Sequence, residues 1–115
     1  KGYATLENLL SSDEAARYLG EVAIVPVSSP IYKTGRIFYN TLYDENASCH
    51  FALGSAYPNC IENGENMTKE EREKAGVNDS IIHVDFMVGN DKLSITGETE
   101  SGEKISIFKN GEWDI

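Results

Sequence analysis

The sequence has little cysteine, little proline, few bases and no long apolar run. Cys49 and Cys60 are its only cysteines. They allow at most one disulfide, so a disulfide-stapled scaffold is excluded, and two free thiols in a reducing compartment are expected. Two cysteines also exclude the closed, cysteine-rich kind of structural zinc site. No apolar stretch approaches the ~18 residues that a membrane span requires. Ten bases stand against 19 acids, giving a formal net charge of −9 and a pI of about 4.6. That balance argues against nucleic acid and anionic membrane surfaces as partners. Low-complexity tracts and internal repeats are missing. So are H-E-x-x-H, C-x-x-C, the P-loop and G-x-S-x-G. No signal-peptide pattern is visible, so the sequons at Asn46, Asn66 and Asn78 carry little weight.

What remains is a globular composition. Hydrophobic residues make up 40% and charged residues 25% of 115 positions, enough for one domain with a real core. The chain starts at Lys1 without methionine, and its first residues already read as mid-domain structure. An excised piece of a longer protein is expected.

Periodicity and turn residues give the order of elements. Thr5 to Tyr18 reads as mostly helical, with Leu6, Leu9 and Leu10 on one face. Ser11 and Glu14 stand at capping-box spacing, as if starting a second helix that Gly20 ends. Glu21 to Val27 reads as a strand, broken by Ser28-Ser29-Pro30. Arg36 to Leu42 reads as a further strand, and Asp44 as the N-cap of a short helix or turn. Cys49 to Leu53 forms a strand closed by Gly54, and Pro58 to Asn66 a loop. A second capping box at Thr68–Glu71 opens a short helix that Gly76 ends. After the strand around His83, Leu93 to Thr99 and Lys104 to Phe108 form a hairpin about Ser101-Gly102, with a last turn at Asn110-Gly111. The expected class is α+β, strand-dominated, with three short helices.

The run Ile81-Ile82-His83-Val84-Asp85-Phe86-Met87-Val88 is the most informative stretch. It reads as a buried β-branched strand interrupted by two ionisable residues. Residues two apart share a face, so His83, Asp85 and Met87 point one way and Ile82, Val84, Phe86 and Val88 the other. A buried imidazole beside a carboxylate needs partners. A divalent metal satisfies both, and so does a simple His–Asp hydrogen bond. Glu21 opens an apolar strand, where a carboxylate is either exposed at the rim or drawn in by a cation. His50 sits between Cys49 and Phe51, where a satisfied core histidine is the plain alternative. Glu45 suits a solvated turn, and Tyr57 suits a packing tyrosine with a wet hydroxyl. Taken together, strand-borne Glu21, His50, His83 and Asp85 suit Zn²⁺, Mn²⁺ or Co²⁺.

Three segments carry a resemblance. Leu19 to Pro26 (LGEVAIVP) is similar to one signature of a known family, and Phe38 to His50 (FYNTLYDENASCH) resembles a second. Gly76 to Ser80 (GVNDS) running into His83 to Gly89 (HVDFMVG) looks like a third, with Asn110-Gly111-Glu112-Trp113 closing the chain. Together they resemble the C-terminal part of the thermophilic-type metallo-aminopeptidases, the group of aminopeptidase T, aminopeptidase S and PepS. The resemblance runs over essentially all 115 residues in the right order.

It implies a cytoplasmic, homodimeric exopeptidase that removes the first residue from peptides with a free N-terminus, using two divalent ions of zinc, cobalt or manganese. It places metal ligands on Glu21, His50, His83 and Asp85, a further active-site acid on Glu45 and the catalytic tyrosine on Tyr57. The chemistry implied is hydrolysis by a metal-activated water, with Glu45 moving the proton and Tyr57 donating to the oxyanion. It also puts one further metal-binding glutamate, and the family's whole N-terminal domain, upstream of Lys1. Residues 1–115 are then the C-terminal catalytic part, and by themselves are expected to be inactive. The alternative is a non-catalytic folding or dimerisation domain that keeps a weak metal site.

Overall fold

A computed structural model describes residues 2–115. The strands are β1 (Leu19–Ala23), β2 (His50–Gly54), β3 (His83–Met87), β4 (Ile95–Glu98), β5 (Lys104–Lys109) and β6 (Glu112–Trp113). The α-helices are α1 (Tyr3–Leu9), α2 (Pro30–Thr34), α3 (Thr41–Glu45) and α4 (Lys69–Lys74). Two three-stranded sheets result, with orders β1-β2-β3 and β4-β5-β6. The architecture is the strand-rich α+β one that the sequence implies.

The chain divides into two compact units, one made of Lys1–Val22 with Phe51–Phe86 and the other of Ala23–His50 with Met87–Ile115. In the first, Ala16, Ala52 and Val77 are buried, and Phe51 meets Phe86 edge to face at 5.8 Å. The Asn78 amide donates to the Ala15 and Gly54 carbonyls at 2.9 and 2.6 Å, tying three segments with one side chain. The Gly54 amide reaches the Tyr18 carbonyl and the Ser55 amide the Ile82 carbonyl, so β2 runs antiparallel between its neighbours. In the second unit Phe108 is the largest buried apolar side chain and stacks edge-on against Trp113 at 5.6 Å. Cys49 and Cys60 are both free. The Cys49 thiol is buried and bonded to the Val25 backbone, while Cys60 is exposed.

Four local expectations change. Residues 11–18 do not form a second α-helix: a single 3₁₀ turn covers Glu14–Arg17 after Asp13. The Ser11 hydroxyl bonds back to the Glu7 carbonyl instead of capping forward. The Asp13 carboxylate is taken up by the Ser80 hydroxyl and the Ile81 amide, both at 2.9 Å. Arg36 to Leu42 is not a strand, because the Asp44 carboxylate gathers the Phe38 and Asn40 amides and Asn40 caps α3 through the Tyr43 amide. Asp44 therefore lies inside α3 and is not its N-cap. Of Glu21 to Val27, only the part up to Ala23 is strand. Lastly, β3 is not uniformly buried: Ile81 just before it, and Phe86 and Met87 in it, are exposed.

Candidate metal centre

The first sheet sets out the candidate ligands. Glu21 lies mid-way along β1, His50 is the first residue of β2, and His83 and Asp85 lie two apart on β3. Alternation along β3 puts His83 and Asp85 on one face, as the sequence pattern requires. The His83 Nε2 lies 3.0 Å from Glu21 Oε2 and 3.4 Å from Asp85 Oδ1. One ligand atom each of Glu21, His50 and Asp85 falls within 4.8 Å of the others. The Tyr57 ring lies 5.1 Å from the His83 ring, and Tyr57 itself is half exposed.

Both imidazoles are held in the same way. The Nδ1–H of His50 donates to the Ser48 carbonyl at 2.9 Å, and that of His83 to the Ser55 carbonyl at 2.7 Å. A carbonyl only accepts, so each contact puts the ring proton on Nδ1 and leaves Nε2 as the remaining ring nitrogen. Metal-ligating histidines are commonly oriented by such a contact. Ser48 and Ser55 lie just outside the two ends of β2, so one strand positions both rings. Sequence reasoning missed these two carbonyls, since a backbone acceptor has no signature of its own. The only available hint is their place at the strand ends.

Burial makes the cluster electrostatically demanding. The side chains of His83, Glu21 and Asp85 retain 21%, 27% and 14% of their exposure, and His50 is buried. Burial, the largest influence on His83, opposes its protonation. The Ser55 carbonyl, the charges of Asp85 and Glu21 and the proximity of the Asp85 carboxylate together outweigh it, and raise the His83 pKa above the ordinary histidine value. Asp85 Oδ1 is sealed from solvent with no hydrogen-bond partner, although it is at ion-pair distance from His83. A buried carboxylate oxygen left without a hydrogen bond is costly. A cation answers that deficit. The donor set of two imidazoles and two carboxylates without thiolate suits zinc, cobalt or manganese.

Within the first unit the structure thus brings together Glu21, His83, Asp85 and Tyr57, and His50 joins Glu21 and Asp85 in a group that could hold a metal ion. Glu45 ends α3, half buried, and is not one of the three residues of the Glu21–His50–Asp85 group. No helix among the described residues is long and apolar enough to cross a membrane.

Residues 1–113 match the family described as thermophilic metalloprotease (M29). The chain is 56% identical to "Aminopeptidase 2" of Geobacillus stearothermophilus over 98% of its own length and 27% of that protein's. It is 52% identical to "Aminopeptidase AmpS" of Bacillus subtilis (strain 168), over 98% of itself and 28% of that relative. Its fold superposes on the solved "Wild-type AmpT from Thermus thermophilus" with a TM-score of 0.88 at 43% identity, covering all of this chain and 28% of that one. The chain therefore spans little more than a quarter of the relatives it matches. With a match over nearly its whole length, the chain belongs to the thermophilic metalloprotease (M29) family.

Proposed function

We propose that these residues form the metal-binding part of an aminopeptidase that hydrolyses the first peptide bond of substrates with a free N-terminus. The observation that carries the reading is the β1-β2-β3 cluster. Two imidazoles are tied back through Nδ1, and a buried Asp85 oxygen beside them has no hydrogen bond. Relatives named aminopeptidases, at 52–56% identity, support the same activity.

Glu21, His50, His83 and Asp85 would hold two divalent ions, with zinc, cobalt and manganese as the candidates. When bound, such ions polarise a carbonyl and acidify water. The rest falls to the chain's own groups. The Glu45 carboxylate takes a proton from the attacking water and delivers it to the leaving amine as the C–N bond breaks. The Tyr57 hydroxyl donates to the oxygen that gains charge when water adds to the carbonyl carbon. The net charge of −9 favours the substrate's α-ammonium group and weighs against nucleic acid as a partner. The 115 residues correspond to the C-terminal catalytic part of a cytoplasmic enzyme that works as a homodimer.

The test is hydrolysis of aminoacyl p-nitroanilides by the full-length protein. Activity lost on chelation and restored by Zn²⁺, Co²⁺ or Mn²⁺ is expected. Undiminished turnover in excess chelator would overturn the reading.

A further inference from the structure

A cavity of about 300 Å³ opens in the first unit beside the candidate centre. Its walls come from Glu21 and Val22 on β1, Ala56 and Tyr57, Ile61, and Val77, with Cys60 among the lining residues. Glu21 is its only charged lining residue among the described residues. Glu21 and Tyr57 belong to both places, since each also lies against His83. We propose that this cavity receives the side chain of the substrate's first residue, with Ile61, Ala56 and Cys60 as specificity-determining positions. The proposal rests on the aminopeptidase reading.

The geometry follows from the bond to be cut. The first residue's side chain leaves the Cα bonded directly to the reacting carbonyl carbon, only ~1.5 Å away. Its pocket must therefore begin at the reacting centre and share walls with it. The volume lies at the lower end of the range for ligand pockets, ~300–1,000 Å³, which suits one amino-acid side chain and not a longer peptide segment. Val22, Ala56, Ile61 and Val77 offer no hydrogen bonds, so apolar side chains are accepted and acidic ones refused.

Cys60 supplies the probe. It is exposed while Cys49 is buried, so a thiol reagent adds bulk at the cavity without a substitution that endangers folding. The first measurement needs neither metal nor turnover: the rate of Cys60 alkylation by N-ethylmaleimide in the full chain. L-leucinamide is expected to slow it at least fivefold at concentrations where L-glutamic acid α-amide does not. The second compares kcat/KM for leucyl, phenylalanyl and alanyl p-nitroanilides before and after alkylation. Losses of ~10–100-fold for the leucyl and phenylalanyl substrates are expected, with less than a threefold loss for the alanyl one. Cys60→Ser should abolish the effect of the reagent. Ile61→Ala should raise the phenylalanyl-to-alanyl ratio. Equal protection by both amides, or none, overturns the pocket assignment, as does an equal loss for all three substrates. A protein inactive on every substrate with all three metals counts against the aminopeptidase reading, and the protection experiment still decides the pocket.

Discussion

Tyr57 and His83 sit ring to ring, and their substitutions separate two roles. Tyr57→Phe in the full-length protein is expected to lower kcat by roughly 10²-fold with metal content unchanged, the effect of losing one oxyanion donor. His83→Ala should instead deplete metal, measured by elemental analysis, and lose turnover that only excess metal restores. Full activity of His83→Ala at trace metal would contradict the assignment. Asp13 makes a prediction about stability. The Ile81 amide, ahead of burial acting the other way, holds its carboxyl below the ordinary value of 3.8. A depressed folded-state pKa stabilises the fold above the unfolded value, and that contribution disappears as pH falls through the folded one. Asp13→Asn should therefore melt below wild type at neutral pH, with the two melting curves converging as pH drops below 3.8. Asp13 also marks a limit of sequence reasoning. Its partners Ser80 and Ile81 are 67 and 68 residues away, and no local spacing announces them.

Among elements, the strands were more legible than the helices. β2 follows from a short apolar run closed by Gly54, β3 from a β-branched and aromatic one, and β4 with β5 from a hairpin whose turn the sequence marks at Ser101-Gly102. The α4 capping box was readable because both of its bonds are local, Thr68 to the Glu71 amide and Glu71 back to the Thr68 amide. The same spacing at Ser11–Glu14 misled, since competing acceptors took up the groups. In the site, alternation along one strand gave the shared face of His83 and Asp85. The meeting of Glu21, His50 and Asp85 depends on three strands and could come only from the resemblance or the fold. Gly54 ties two of these strands together. It adopts φ +100°, and a Cβ there would run into the Ile82 carbonyl. Gly54→Ala should therefore destabilise the protein by at least ~2 kcal/mol in urea unfolding, from left-handed strain and the clash combined.

At the scale of the whole molecule, the chain covers 27–28% of its relatives' length, and the proposed two-metal site would draw a further glutamate from outside these residues. A carboxylate shared by two cations holds them together against their repulsion. The 115 residues alone are therefore expected to fold, to bind at most one divalent ion weakly, and to turn over no aminoacyl substrate. Isothermal titration with Zn²⁺ and an aminopeptidase assay beside the full-length protein check this. Turnover within tenfold of that protein would refute it. Binding should raise the melting temperature in proportion to the logarithm of free metal. The two ring contacts to Ser48 and Ser55 have a bearing on how such a site survives mutation. Each partner is a main-chain carbonyl, present whatever side chain the codon specifies. A single substitution can delete a ligand, but none at position 48 or 55 removes the acceptor that sets the tautomer. A descendant that loses a carboxylate here would thus keep both imidazoles tied back through Nδ1.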